Sequence, residues 1–259
     1  MEVEKNVYKI WKKLGETPLE ALKNFRKKMS FDASIKMTYS GRLDPLAEGY
    51  LYILSHEAVH LKDLYNQKNK KYTVEVLMGF RTDTHDLLGL ITDGLDNGRQ
   101  SYRNSEDLDT GAIYVQIQKY LDLHIGKISQ QYPAYSSKPV QGRPLFQWAR
   151  EGKLDEIDIP KHDVIVQKNL LYQNIVAKEG IRLLSDIKEK ISLVQGDFRQ
   201  QQILAKWETE IDVKSFYAIF KIELETGPGF YVRQYVSDLS QVLSVPLVVF
   251  SICRDELSS

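Results

Sequence analysis

Residues 217–243 read YAIFKIELETGPGFYVRQYVSDLSQVL, and the period of the pattern changes halfway. Ala218, Phe220, Ile222 and Leu224 alternate with Lys221 and Glu223, the two-residue period of a half-buried strand. Gly227-Pro228-Gly229 marks a turn. Val232, Tyr235, Val236, Leu239 and Val242 then recur at helical spacing. A second strand is expected in KKYTVEVLMGF at 70–80, where Tyr72, Val74, Val76 and Met78 oppose Thr73 and Glu75, and a last one in PLVVFSI at 246–252. Strands and helices mix without a regular β-α-β alternation. The expected class is therefore α+β, with a central, mainly antiparallel sheet and flanking helices.

Outward from these strands, GETPLEALKNFRKKM reads as a helix. Thr17 is the N-cap, Pro18 takes the first helical position, and Glu20 completes a T-x-x-E capping box. Leu19, Leu22, Phe25 and Met29 are its expected apolar stripe. Residues 49–65 are expected to run from a strand or turn into a short helix. Residues 181–207 read as helical, with Leu184, Ile187, Ile191 and Val194 in step.

The 259 residues, 42% of them hydrophobic, suffice for a sizeable core. A single cysteine, Cys253, rules out an internal disulfide and suits a reducing compartment. No apolar run reads as a signal peptide or a membrane span, so a cytoplasmic location is expected. Net charge is zero, but it is unevenly placed. Residues 9–29 carry a basic surplus of five, and NQKNKK at 66–71 adds three lysines. Acids gather at 106–109 and 151–158. A neutral total can hide a basic face, although ordinary solvated helices would give the same counts.

Four elements bear on chemistry. In YSGRLDPLAEGY at 39–50, Gly41 allows a positive φ or a close ligand approach, and Pro45 fixes the backbone after Asp44. Leu43 and Leu46 can anchor the loop and aim Asp44 outward as a nucleophile or base. An Asx-turn acid that only stabilises the loop is the competing reading. Tyr72 follows Lys70 and Lys71 at a strand start, which sets a flat aromatic face beside phosphate-binding charge. Arg233 lies in the first turn of a helix, where the dipole does not favour a cation, so a buried acid or a phosphate is its expected partner. Asp, Tyr and Arg together suit a site that stacks a flipped base and works on its sugar link. HEAVH at 56–60 matches the zinc motif H-E-x-x-H, which would need a third ligand. No later histidine has a recognisable ligand context, and a part-exposed helix explains the motif as well.

Four ordered blocks carry a resemblance. YSGRLDPLAEGYL resembles the G-H-T-G-x-L-D-P-x-A-x-G-x-L motif of the TruB-type tRNA pseudouridine-55 synthases. KKYTVEVLMGFRTDTHDLLG, QQYPAYSSKPVQGRPLFQWAREG and TGPGFYVRQYVSDLS are similar to three further motifs of that family. The resemblance implies a sheet crossed by an RNA-binding cleft, isomerisation of a flipped uridine to pseudouridine, and no metal or cofactor. The implied substrate is the T-loop uridine of tRNA, and no obligatory protein partner is implied. It gives Asp44 as the catalytic carboxylate, Tyr72 as the tyrosine that stacks on the base, and Arg233 as the partner of the aspartate. Tyr39, Gly41, Arg42, Lys70 and Tyr231 are the expected substrate-binding residues, and residues 124–160 the segment that clamps RNA.

Departures accompany the likeness. Tyr39 stands where the family has histidine, Lys12-Lys13 where it has K-P, and Ile252-Cys253-Arg254 where it has L-R-R. Residues 181–210 read as a helical insertion within one catalytic domain over 1–259, without a C-terminal RNA-binding PUA-type domain. Tyr39 keeps open an RNA-binding or tRNA-folding protein with weak catalysis on the same fold. The HEAVH motif keeps open a zinc hydrolase.

Overall fold

A computed structural model describes residues 2–93, 111–173 and 175–255; the acidic stretch at 106–109 lies outside them. Among the described residues, ten strands form one sheet. In chain order they are β1 (Glu2–Glu4), β2 (Val7–Lys12), β3 (Met37–Ser40), β4 (Ala47–Ser55), β5 (Lys70–Met78), β6 (Gly126–Gln131), β7 (Lys161–Leu171), β8 (Val176–Glu179), β9 (Phe216–Thr226) and β10 (Leu247–Asp255). The spatial order is β1-β2-β4-β10-β5-β9-β7-β6, with β3 on β4 and β8 on β9. All pairings are antiparallel except β10 with β4. The α+β expectation holds.

The helices are α1 (Pro18–Lys28), α2 (Lys62–Asn66), α3 (Gly111–Leu123), α4 (Leu145–Arg150), α5 (Gly180–Ser192), α6 (Gln200–Glu210) and α7 (Val232–Leu243). Helix α1 has the expected capping box: Thr17 Oγ1 accepts from the Glu20 amide at 3.2 Å, and Glu20 Oε2 accepts from the Thr17 amide at 2.6 Å. Its buried stripe is Ala21, Leu22 and Phe25, whereas Leu19 and Met29 are exposed. Val242 is likewise exposed, because the inner face of α7 continues from Leu239 through Leu243 and turns Val242 outward. The helical reading of 181–207 resolves into two helices separated by a turn.

The middle of the sheet is buried on both faces. Val74, Val76 and Met78 of β5 and Phe220 and Ile222 of β9 pack with α3 and α7. Leu77, Tyr217 and Ile219 point the other way and pack with α5 and α6. The alternation predicted from the sequence thus becomes two cores on opposite faces of the same strands.

Strand β4 changes its partner partway. Ala47–Gly49 pair with β10, while Tyr52–Ser55 pair with β3. The Asp44 loop, 41–46, emerges at this gap. Leu43 is buried in one core and Leu46 in the other, so the loop is pinned from both faces. Segment 124–160 contains β6, a two-residue hairpin (Pro139–Val140 with Arg143–Pro144) and α4, around a small core of Leu145, Trp148 and Ile157.

Candidate active site

Asp44 and Arg233 meet across 189 residues of sequence, Arg233 Nε donating to Asp44 Oδ2 at 2.7 Å and Nη2 to Oδ1 at 2.9 Å. This is the two-pronged geometry that a guanidinium offers a carboxylate. Burial is unequal: the Arg233 side chain is 6% exposed and that of Asp44 39%. The arginine is an internal anchor, and the carboxylate it holds opens to solvent.

Further groups fix the anchor. Arg233 Nη1 donates to Thr84 O at 2.7 Å and Nη2 to Tyr135 O at 3.2 Å. Asp86 Oδ2 lies 3.7 Å from Nε. Burial pushes the Asp86 carboxyl up, while Arg233, the Thr84 hydroxyl and the Leu88 amide oppose the shift. Thr84 Oγ1 donates to Asp86 Oδ1 at 2.6 Å, and Leu88 N donates to the same oxygen at 3.0 Å. His85, held at about 4 by burial and by Arg233, adds no competing cation at neutral pH.

Tyr72 is buried on β5 in the same core as Leu43, and its register partners are Arg254 on one side and Leu224 on the other. Burial raises its phenol, Arg254 opposes this, and the Asp44 charge adds to it. At neutral pH Tyr72 therefore keeps its proton. Its hydroxyl is thus protonated, not a preformed phenolate. Tyr231 precedes α7, and Gln130 brackets its backbone: Nε2 donates to Tyr231 O at 3.0 Å, and Oε1 accepts from Tyr231 N at 2.8 Å. The Tyr231 phenol is also raised, by burial first and then by Tyr132 and Asp44.

The other expected residues scatter more widely. Gly41 has φ +75°, and a Cβ there would come within 3.1 Å of Arg254 Nη1. Arg42 is exposed, and its carbonyl accepts from Arg254. Tyr39 is half-buried, with Lys62 Nζ 5.9 Å from its ring centroid. Lys70 Nζ donates to Asn66 O at 2.7 Å and Lys68 O at 2.6 Å, and burial lowers it to about 8. Its ammonium thus closes the turn between α2 and β5.

Sequence reasoning missed the residues that shape the loop. Arg254, noted only as a departure from the family motif, donates to Gly41 O, Arg42 O and Tyr50 O, which fills the gap where β4 changes partner. Lys12 is fully buried, and its Nζ donates to Ala47 O at 2.5 Å, Lys13 O at 3.1 Å and Pro45 O at 3.4 Å. These acceptors are backbone carbonyls and leave no mark in the sequence. Neither residue lies in a strand expected from the sequence, although the structure places both at strand ends.

Burial lowers Lys12 from 10.5 to about 8. Between those values the unfolded chain binds more protons than the folded one, so the Lys12 contribution to stability rises with pH. Relative to Lys12→Met, wild type should gain about 2 kcal/mol between about pH 8 and about pH 10, at a limiting slope of about 1.4 kcal/mol for each step of one in pH. Urea unfolding of both proteins at the two pH values measures this. A constant difference would mean that Lys12 does not titrate in that range.

HEAVH forms a 3-10 helix. Residues four apart on such a helix are turned about 120° from each other, so His56 and His60 do not share a face. His60 and Glu57 are largely exposed. Among the described residues no group of three or more His, Cys, Asp or Glu is placed to hold a metal ion.

Residues 26–183 match the profile of the TruB family pseudouridylate synthases (N terminal domain), and the chain belongs to that family. It is 35% identical over 136 residues to a tRNA pseudouridine synthase B of Syntrophus aciditrophicus (strain SB), covering 52% of this chain and 39% of the relative. It is 26% identical over 245 residues to a protein of the same description from Ligilactobacillus salivarius (strain UCC118), covering 95% and 65%. The chain thus spans less than two thirds of the length of these relatives. Among solved structures it resembles one described as the crystal structure of a Cbf5-Nop10-Gar1 complex, with a TM-score of 0.50 and 14% identity over 96% of this chain and 48% of that one. That likeness concerns the fold. Among the described residues no helix is long and apolar enough to cross a membrane.

Proposed function

We propose that the chain is an RNA pseudouridine synthase whose substrate is a flipped-out uridine, the T-loop uridine of tRNA. The observation that carries this reading is the two-pronged bond from a buried Arg233 to a solvent-facing Asp44. Membership of the family and relatives described as tRNA pseudouridine synthase B support it.

The reaction breaks the N1–C1′ bond, turns the uracil, and forms a C5–C1′ bond. The C5 proton leaves and N1 gains one, so no redox partner or group donor is needed. Asp44 acts at C1′ to start the detachment, and Arg233 fixes both carboxylate oxygens during it. Tyr72 supplies the face on which the base stacks, worth about 1–3 kcal/mol, against an unstacking cost of a few kcal/mol. Its protonated hydroxyl suits a relay for the C5 proton. Tyr231, at the start of α7, is near enough to Asp44 and Arg233 to feel their charges and is assigned to the same site, with Tyr39, Gly41 and Arg42 as further substrate contacts.

Phosphate contacts must supply the remaining binding energy. Lys9 lies 3.9 Å from the Tyr50 ring centroid, Lys68 4.3 Å from that of Tyr65, and Lys138 4.7 Å from that of Tyr132. Cations set over aromatic faces suit RNA, which offers phosphates and bases side by side. Affinity for a tRNA transcript should fall about a hundredfold between about 50 and 200 mM salt. Fluorescence anisotropy would measure it, and an affinity independent of salt would remove the basic-face argument.

The direct test is tritium release from a tRNA transcript labelled at uridine C5. Release by wild type supports the synthase. Binding without release, on this and other RNAs, favours the reading in which Tyr39 marks an RNA-binding protein on a synthase fold.

A further inference from the structure

Helices α5 and α6 lie almost wholly beyond the residues matched to the family profile, yet they reach the supports of the active site at three points. Leu193, at the end of α5, packs so tightly on Gly15 that a Cβ there would sit 2.5 Å from Leu193 O. The Gly15 amide in turn donates to Pro45 O, next to Asp44, at 2.9 Å. Trp207 of α6 is fully buried, and its Nε1 donates to Leu87 O at 3.2 Å. Arg199, just before α6, reaches Asp83: Nη1 donates to Oδ2 at 2.8 Å and Nη2 to Oδ1 at 3.3 Å.

The Arg199 contact is the most informative. Asp83 Oδ2 also accepts from the Tyr135 hydroxyl at 3.1 Å, and the Arg199 guanidinium lies 5.1 Å from the Tyr135 ring centroid. One arginine therefore grips two residues, and each leads to Arg233. The carbonyl of Tyr135 accepts from Arg233 Nη2, and the carbonyl of Thr84, next to Asp83, accepts from Nη1. Asp83 Oδ1 also accepts from Leu90 N at 2.8 Å, which closes the 83–90 turn.

The grip is itself held firmly. Arg199 has φ +64°, a conformation that persists only where its surroundings impose it. Those surroundings are present. Gln200 Nε2 donates to Val194 O at 3.1 Å and Gly196 O at 2.8 Å, and its Oε1 accepts from Phe198 N at 2.9 Å. The turn between α5 and α6 is a built platform that aims one arginine.

We propose that Arg199 is a positioning residue: from the α5–α6 element it clamps Asp83 and Tyr135, and through the carbonyls of Thr84 and Tyr135 it sets the guanidinium that Arg233 offers to Asp44. The proposal deepens the synthase reading and rests on it for its kinetic consequence, but its geometric content is independent of the reaction. Its chemistry explains the choice of arginine. A fork bridges both oxygens of Asp83 while its flat face covers Tyr135, which a lysine does only in part.

Two measurements on the full chain test it. In the tritium-release assay Arg199→Ala should lower kcat about tenfold and leave KM for the RNA within about twofold, because Arg199 holds the anchor and not the substrate. Arg199→Lys should recover to within about threefold of wild type. Asp83→Asn should match Arg199→Ala, and the double variant should be no worse than either single one, since both break the same clamp. Lys188→Ala, which breaks only the α5–α6 surface pair with Glu208, should leave kcat unchanged. Independently, the Arg233 Nε–H resonance, identified by its loss in Arg233→Lys, should exchange with solvent at least about threefold faster in Arg199→Ala and Asp83→Asn. Unchanged exchange in both variants overturns the proposal, as does unchanged kcat in an active enzyme. If wild type releases no tritium, the synthase reading fails by itself and the exchange measurement decides this one.

Discussion

Asp44→Asn should lose at least about a thousandfold in tritium release, about 4 kcal/mol of transition-state stabilisation, while its affinity for tRNA stays within about threefold. The change is nearly isosteric, so the loop pinned by Leu43 and Leu46 has no reason to move. What changes is chemistry and pairing. An amide neither attacks C1′ nor assists departure of the base. It also offers Arg233 one acceptor and one donor where the carboxylate offered two acceptors, so one of the bonds at 2.7 and 2.9 Å must be lost. Breaking a buried pair outright costs about 3–5 kcal/mol of stability. Here the loss should be smaller, because Asp44 is partly solvated and Arg233 keeps Thr84 O, Tyr135 O and nearby Asp86. Urea unfolding should therefore show a folded variant, destabilised by about 1–3 kcal/mol. More than a tenth of wild-type activity in that variant would falsify the assignment of Asp44 as the catalytic carboxylate.

How much of this was legible follows from what kind of group makes each contact. Strands β5 and β9 were readable because alternation is a local pattern that burial preserves: Tyr72, Val74, Val76 and Met78 all reach the core. That Arg233 would meet an acid or a phosphate was readable because a cation in the first turn of a helix calls for a separate explanation, although the acid it holds most closely, Asp44, faces solvent. The partner switch of β4 was not readable. Nothing in AEGYLYILS says that its first residues pair with the end of the described chain and its last with the strand just before it. Arg254 and Lys12 bond carbonyls around that gap, and Thr84 and Tyr135 offer Arg233 backbone carbonyls, so none of these roles could be seen residue by residue. Exposed Leu19, Met29 and Val242 show the opposite limit: helical spacing identifies a stripe but not which of its members the rest of the fold covers. The zinc motif failed for a local reason, because its five residues wind with three residues per turn instead of 3.6.

Arg233 separates charge from geometry. Arg233→Ala should destabilise the fold by about 3–5 kcal/mol, because the partly buried Asp44 and buried Asp86 would lose their shared cation. Without it the buried Asp86 carboxyl, already pushed up by burial, should hold its proton to higher pH in the folded chain than in the unfolded one. The folded state then binds more protons, and stability should rise as pH falls toward the ordinary carboxylate range. Arg233→Lys keeps the cation and should recover most of the stability at neutral pH. It should not recover activity. One ammonium nitrogen cannot hold both oxygens of Asp44 while also reaching Thr84 O and Tyr135 O, which Arg233 reaches with separate nitrogens. Tritium release from Arg233→Lys should therefore remain at least about a hundredfold below wild type, about 2.7 kcal/mol. A lysine variant as active as wild type would reduce the requirement to a positive charge beside Asp44. A lysine variant as unstable as Arg233→Ala would mean that the carbonyl contacts, and not the ion pair, hold α7 against the 83–90 turn.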